Sequence, residues 1–208
     1  DNIVITANKF EYDKGLNILS VTGNVEINDS VNDYVIFSEK ATYNKKKEKI
    51  STEINSKAIN SKDNIVITAN KFEYDKGLNI ILARDNVEIQ DKNNNYNLTS
   101  DFVKYLKNEG KIFSKGKSRA IDLNDKNEIK AKYFEYNIPE NTIKAKEKVI
   151  LENKKKNYKI LTDLAIYNRN TEIINTKGKT SSIFKSKYKF ETKNVTLLKR
   201  SMEFFSKD

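Results

Sequence analysis

Six tyrosines recur at a fixed interval of 31 residues, and this spacing constrains the fold more than any other feature of the chain. They are Tyr12, Tyr43, Tyr74, Tyr105, Tyr136 and Tyr167. Tyr accounts for only 11 of the 208 residues, so chance is a poor explanation, and self-similarity at a fixed period indicates a repeat architecture. One structural unit therefore recurs along the chain, and both fold and function have to be inferred from that unit.

The residues around each Tyr follow the same frame. Five positions before the Tyr stands a small residue: Ala7, Ser38, Ala69, Ser100, Ala131 or Thr162. Seven positions after it stands an aliphatic residue: Leu19, Ile50, Ile81, Ile112, Ile143 or Ile174. Tyr itself is predicted to pack at the end of a strand, just before a turn.

The unit is predicted to be a β-hairpin. Apolar and polar residues alternate strictly from Leu19 to Ile27, which is typical of a half-buried strand. In the preceding strand the apolar positions change parity near Asn8 and Lys9, which predicts a bulge or bend there. Short turns follow each Tyr, with Gly in several and Pro139 in one. Two strands of about ten residues per unit predict about thirteen antiparallel strands.

A second period of 62 residues overlies the first. The segment from Asp1 to Ile18 recurs letter for letter from Asp63 to Ile80. Two positions before the Tyr, large and small residues alternate: Phe10, Ala41, Phe72, Val103, Phe134 and Ala165. This alternation favours two inner faces that interdigitate. We predict one domain over residues 1–208, with repeats at about 1–62, 63–124 and 125–186 and a partial repeat at 187–208. Neither end shows a polar cap, which predicts stacking against another copy or the remainder of a longer chain.

Composition excludes several kinds of function. The chain has no Cys and no His, which removes thiol nucleophiles, imidazole acid–base chemistry and zinc sites with N/S ligands. We therefore predict no catalytic residues, no metal, no cofactor and no enzyme activity. The net charge of +10 comes almost entirely from Lys, because only Arg84, Arg119, Arg169 and Arg200 are Arg. Base-edge recognition depends strongly on Arg, so no nucleic-acid partner is predicted.

The first repeat contains the string Ile5-Thr6-Ala7-Asn8-Lys9-Phe10-Glu11-Tyr12-Asp13, followed by Gly23-Asn24-Val25-Glu26-Ile27. In these residues the repeat resembles the OstA-like family, which includes the periplasmic lipopolysaccharide-transport protein LptA and the N-terminal domain of the outer-membrane assembly protein LptD. The family Asp after the small residue is Asn8, Asn70 and Lys132 here, and Gly23 becomes Asp85 and Glu147 in later copies. These departures concern turns and corners.

The resemblance implies a fold and a function. The fold is an elongated, antiparallel, V-shaped β-jellyroll (a β-taco) with an apolar groove. The function is transport of lipopolysaccharide across the periplasm to the outer membrane of a Gram-negative bacterium, with the acyl chains of lipid A in that groove. Partners would be other OstA-like Lpt proteins, paired end to end by their edge strands. An LptD-type N-terminal domain is the first choice, which adds an outer-membrane barrel and a lipoprotein partner; an LptA-type bridge is the alternative.

Twelve inward aliphatic residues are the candidate groove lining. They are Ile5, Val21, Val25, Ile36, Ile67, Ala83, Val87, Leu98, Ile129, Ala145, Val149 and Ile160. Taken singly, each of these residues is more easily explained as core. A non-lipid structural or adhesin β-repeat therefore stays open, and it predicts strands packed shut. A polysaccharide lyase on a parallel β-helix is less consistent with hairpin turns.

Overall fold

The computed structural model describes residues 3–206, and over that range the chain is all-β, with seventeen strands and one 3₁₀ turn. Every strand pair is antiparallel, which confirms the predicted fold class. The residues group into two compact units, the first ending at Glu109 and the second beginning at Gly110. The single-domain organisation stays a prediction. No helix among the described residues is long and apolar enough to cross a membrane.

The first unit contains eight strands and the 3₁₀ turn at Lys107–Glu109. The strands are β1 (Ile3–Thr6), β2 (Lys9–Asp13), β3 (Ile18–Asp29), β4 (Tyr34–Asn44), β5 (Lys49–Asn60), β6 (Ile65–Asp75), β7 (Ile80–Asp91) and β8 (Tyr96–Leu106). Each strand from β3 to β7 pairs with the next along the chain, so the unit is a meander of hairpins.

The second unit contains nine strands. They are β9 (Lys111–Asp122), β10 (Glu128–Asn137), β11 (Thr142–Asn153), β12 (Tyr158–Asn168), β13 (Ile173–Lys177), β14 (Thr180–Phe184), β15 (Tyr188–Thr192), β16 (Val195–Leu198) and β17 (Glu203–Ser206). Strands β9 to β12 form the same kind of meander.

Some of these strands are halves of one bent strand. Strands β1 and β2 both pair with β3, and β13 and β14 both pair with β12. Likewise β15 pairs with β14 while β16 pairs with β13. Merging these three pairs turns seventeen segments into fourteen bent strands, close to the predicted number of about thirteen.

Each bent strand turns a corner near its middle. In β4, Ser38 and Ala41 are both buried on either side of exposed Glu39 and Lys40, so the predicted change of parity is confirmed. The register between β4 and β5 shifts at the same place. The strand that follows absorbs the extra residue, with Ile54 and Asn55 both at positive φ, 67° and 51°. The bulge therefore involves the strand after the Tyr strand as well as the Tyr strand itself.

At these corners each bent strand folds back on itself, so that its two halves face each other. Tyr34 lies at the start of β4 and Tyr74 lies near the end of β6, yet their rings pack edge to face at 5.2 Å between centroids. Both side chains are buried, with 1% of each exposed. The apolar faces of the two halves thus enclose a common interior, which is where the core of each unit lies.

Candidate functional site

The twelve predicted groove residues point into this interior. Ten of them are only 0–4% exposed, namely Val21, Val25, Ile36, Ile67, Ala83, Val87, Ile129, Ala145, Val149 and Ile160. Ile5 and Leu98 are half-buried. The structure therefore places all twelve on or beside the inner faces, packed closely against other side chains. Their contact with lipid stays a prediction.

Buried hydroxyl groups alternate with apolar layers at the corners. Ser38, Thr52 and Ser56 form one cluster, with Thr52 Oγ1 to Ser56 Oγ at 2.7 Å and Ser38 Oγ to Ser56 Oγ at 3.3 Å. The residues 31 positions later are apolar: Ala69, Ala83 and Val87. Sequence reasoning missed this layering, although the period of 62 residues contained the signal.

The hydroxyl clusters recur in the second unit and have a structural task. Thr180 Oγ1 lies 2.9 Å from Thr162 Oγ1 and 3.0 Å from Thr176 Oγ1. The backbone N–H of Val195 donates to Thr176 Oγ1 at 2.9 Å, as that of Phe72 does to Thr52 Oγ1 at 3.2 Å. A bulge leaves backbone groups without ladder partners, and these hydroxyls satisfy them in the interior.

The two ends of the hairpins meet along a line that we call the seam. In the first unit the first rim consists of the turns at residues 30–33, 61–64 and 92–95. The second rim consists of the turns at 45–48 and 76–79 and the 3₁₀ turn Lys107–Glu109. Opposite ends of the bent strands therefore come together, with the apolar interior behind them.

Two repeat tyrosines bridge the seam of the first unit. Tyr74, next to the second rim, donates its hydroxyl to Asp29 Oδ2 at 2.8 Å, next to the first rim. Tyr105 does the same to Asp63 Oδ2 at 2.8 Å. Burial raises the pKa of Tyr74 and of Tyr105, and the hydrogen bonds to the carboxylates raise both further. Both phenols therefore remain neutral donors at any physiological pH.

A lysine adds a third bridge across the same seam. Lys107 Nζ, on the second rim, donates to the backbone oxygen of Asn32 and lies 3.4 Å from Asp33 Oδ2, both on the first rim. Its ammonium group also lies 4.9 Å from the ring centroid of Tyr34, a cation–π geometry. Only 10% of its side chain is exposed.

The seam of the second unit is held by a buried ion cluster. Lys199 follows β16, and its Nζ lies 2.7 Å from Asp125 Oδ2, 3.5 Å from Asp122 Oδ2 and 3.7 Å from Glu172 Oε1. It also donates to the hydroxyl of Tyr167 at 2.7 Å. Burial alone would lower the pKa of Lys199, but the bonds to Asp125 and Tyr167 raise it above its ordinary range. Nothing in the sequence distinguishes Lys199 from the other lysines, yet its side chain is only 2% exposed.

The outer faces are mostly polar. A depression of about 210 Å³ on the outer side of β5 to β7 contains Lys49, Glu73, Asp75 and Leu82 among its lining. Lys49 pairs with Asp75 at 3.2 Å. The charges of Lys49 and Asp75 in this depression therefore neutralise each other.

The letter-for-letter copy gives an internal comparison for the edge formed by β1 and β2. Phe72 and Tyr74 are 1% exposed, whereas Phe10 and Tyr12 at the equivalent positions are 50% and 47% exposed. The difference arises because β6 has a neighbour on each side, β5 and β7, while β2 pairs with β3. Among the described residues, the same sequence is core in one place and apolar edge in the other.

No protein-family model matches the chain, and no curated protein matches it in sequence. Among solved structures it is similar to LptH of Pseudomonas aeruginosa, described as the LptA-homologous periplasmic component of the conserved lipopolysaccharide transport device. The alignment covers 73% of this chain and 94% of that chain, at 10% identity and a TM-score of 0.33. A likeness at that score carries no argument about function.

Proposed function

We propose that this chain holds the acyl chains of lipopolysaccharide in the interior between the two halves of its bent strands, as an LptA-type component of transport across the periplasm. One observation carries the proposal: aliphatic side chains recur on the inner faces at a constant spacing and so provide a row of equivalent apolar sites. Equivalent sites suit a ligand that has to move from one to the next. The resemblance of the repeat to the OstA-like family supplies the class of ligand.

The layering of the interior fits weak binding. Burying one methylene group contributes about 0.8 kcal/mol, so a fully buried twelve-carbon chain would gain roughly 10 kcal/mol. A ligand held that tightly would leave slowly. The hydroxyl layer of Ser38, Thr52 and Ser56 interrupts the apolar surface, which limits how much of a chain meets purely apolar groups.

An LptA-type bridge is the form we propose, in place of the LptD-type domain that was the first choice from sequence. The exposed Val4, Phe10 and Tyr12 on β1 and β2 support end-to-end pairing with an edge strand of another OstA-like protein. A barrel and a lipoprotein partner would belong to the LptD-type form, and no comparison supports it.

The test exchanges the two kinds of interior layer. Val87 lies in an apolar layer, and Ser56 is its equivalent in a hydroxyl layer one repeat earlier. Val87→Thr should lower the amount of lipid A retained by the purified protein, and Ser56→Val should raise it. Bound lipid A is measured by mass spectrometry, and folding by circular dichroism. Because the chain already places Ser or Thr at this position in alternate repeats, both variants should fold.

Glu88→Gln is the matched control, because Glu88 neighbours Val87 on the outer face and is only half-buried. It should leave lipid A retention unchanged. Lipid A retention that is the same in all three variants, or absent from the unaltered protein, would overturn the proposal.

A structural or adhesin β-repeat is the second candidate function. The close packing of the interior favours it, because ten of the twelve inner residues are at most 4% exposed. It predicts that no lipid is retained and that substitutions at Val87 change stability alone.

A further inference from the structure

We infer that an acyl chain enters the first unit through its seam, between the rims that Tyr74, Tyr105 and Lys107 bridge. The inference rests on the proposed function and adds an entrance site to it. The entrance would take a single extended hydrocarbon chain whose polar head stays outside, because the groups behind the seam are aromatic and aliphatic.

The contacts across the seam are weaker than the contacts along each rim. Along each rim, neighbouring turns are joined by backbone hydrogen bonds, such as Lys76 N to Glu48 O at 3.0 Å on the second rim and Ser61 N to Asp33 O at 3.2 Å on the first. Across the seam, the bridges of Tyr74, Tyr105 and Lys107 each use a side chain. Each rim is therefore tied along its length, and the two rims separate when side chains release.

The corners opposite the seam provide a line about which the halves can turn. Pairs of consecutive left-handed residues lie at Gly23–Asn24, Ile54–Asn55 and Asp85–Asn86, on alternate strands of the unit. The strand ladders continue on both sides of each pair, with only a shift of register between. Opening at the seam thus leaves the pairing within each half intact.

The interior immediately behind the seam suits a hydrocarbon chain. The ring of Tyr34 lies against that of Tyr74, and Ile36 and Ile67 follow on the inner faces. Displacing one tyrosine from this contact would expose an apolar path that leads inward. Lys107, once released from Asp33, places a cation at the mouth that suits an anionic head group.

The experiment locks the seam reversibly, and the absence of native cysteine makes every introduced thiol unique. Asp63→Cys and Tyr105→Cys are combined and joined with a bifunctional thiosulfonate. A direct disulfide needs Cβ atoms roughly 4 Å apart, less than a tyrosine–aspartate hydrogen bond leaves. The matched control is Thr68→Cys with Glu88→Cys, facing residues on the outer side of β6 and β7.

Uptake of tritium-labelled lipid A is measured before crosslinking, after crosslinking and after reduction. Locking the seam should reduce the rate of uptake by about tenfold or more, as expected when at least 1.4 kcal/mol is added to opening, and reduction should restore it. The control pair should take up lipid A equally in both states. Equal uptake by the locked and reduced seam variants would refute the seam as an entrance.

A second measurement detects opening of the seam in the absence of lipid. Ile67→Cys places a thiol at a position that is 1% exposed, and its labelling by a maleimide reports opening. Combining it with Tyr74→Phe and Tyr105→Phe should speed labelling by roughly a hundredfold. Tyr12→Phe is the control, because the hydroxyl of Tyr12 donates to Asn17, five residues away. Equal labelling rates would overturn the inference, whereas faster labelling with no lipid uptake would overturn the proposed function alone.

Discussion

The seams of the two units are built from the same repeat and closed by different chemistry. In the first unit, phenols donate to Asp29 and Asp63, and Lys107 pairs with Asp33, whose side chain is 40% exposed. In the second, Lys199 is buried among three carboxylates and the hydroxyl of Tyr167. A hydrogen bond from a phenol to a carboxylate contributes about 1.5–3 kcal/mol net, whereas a buried charge that loses its partners costs about 3–5 kcal/mol. We therefore expect the first seam to open more readily than the second.

Removing the charge of Lys199 should have the largest effect. Lys199→Met leaves Asp122 buried without its cation, and the cost should be about 3–5 kcal/mol of unfolding free energy. Chemical denaturation gives the total, and hydrogen exchange should place the loss in the second unit. Lys155→Met, at an exposed turn position, is the control. A cost below about 2 kcal/mol would leave the second seam no stronger than the first.

Weakening the first seam should cost less. Tyr74→Phe removes one hydrogen bond to a carboxylate, which should cost about 1.5–3 kcal/mol. The cost stays modest because Asp29 keeps the N–H groups of Val31 and Asn32 as donors. Hydrogen exchange should quicken in the first unit and stay unchanged in the second. A loss as large as that of Lys199→Met would contradict the comparison.

Acid should destabilise the second unit through carboxylates whose pKa is depressed. A hydrogen bond from Lys199 lowers the pKa of Asp125, and one from Arg119 lowers that of Glu128 to about 2. Groups with a depressed folded pKa contribute stability that is present above their unfolded pKa, about 4, and is lost as pH falls through the folded value. Hydrogen exchange in the second unit should therefore accelerate between about pH 4 and 2.

The matched variant for the acid experiment is Asp125→Asn with Glu128→Gln, which removes both titrating groups. It should start less stable at neutral pH and show a shallower slope below about pH 4. An unchanged slope would mean that other carboxylates carry the acid sensitivity of this unit.

The corner at Ile54 should give the smallest effect, with the opposite sign. Ile54 has a φ of 67° and is 57% exposed, so a β-branched residue occupies a left-handed conformation with little packing in return. Ile54→Gly should stabilise the protein by about 1 kcal/mol, as measured by denaturation. Gly23→Ala should do the reverse, since a Cβ there would lie 2.8 Å from Asn8 Nδ2. A loss of stability in Ile54→Gly would mean that its side chain supports the corner.

The sequence predicts local features well because they depend on neighbours along the chain. The alternation in β3 and the change of parity between Ser38 and Ala41 are visible in the order of the residues, and the structure confirms them. The number of strands follows from the period. These features need no knowledge of how the halves face each other.

The seam could not be predicted in the same way. Tyr74 and Asp29 are 45 residues apart and lie on β6 and β3, three strands apart in the meander. Their contact therefore depends on how the two halves of the bent strands face each other. The repeat tyrosines were predicted to pack, and two of them also hold the rims together. Lys199 lies in the partial repeat at 187–208, where no recurring residue pattern indicates which positions are buried. Ile54 contradicts local propensity, because the ladders on either side determine its φ.

The most direct test of the interior as an acyl-chain site is a photo-crosslinking scan along β4 with labelled lipid A. A photoreactive residue is placed singly at each position from Val35 to Thr42. We expect crosslinks at Ile36, Ser38 and Ala41. The crosslinked positions then change from even-numbered to odd-numbered residues at the corner, as the buried positions do. Crosslinks at Val35, Phe37 and Thr42 on the outer face, or at none of these positions, would contradict this expectation.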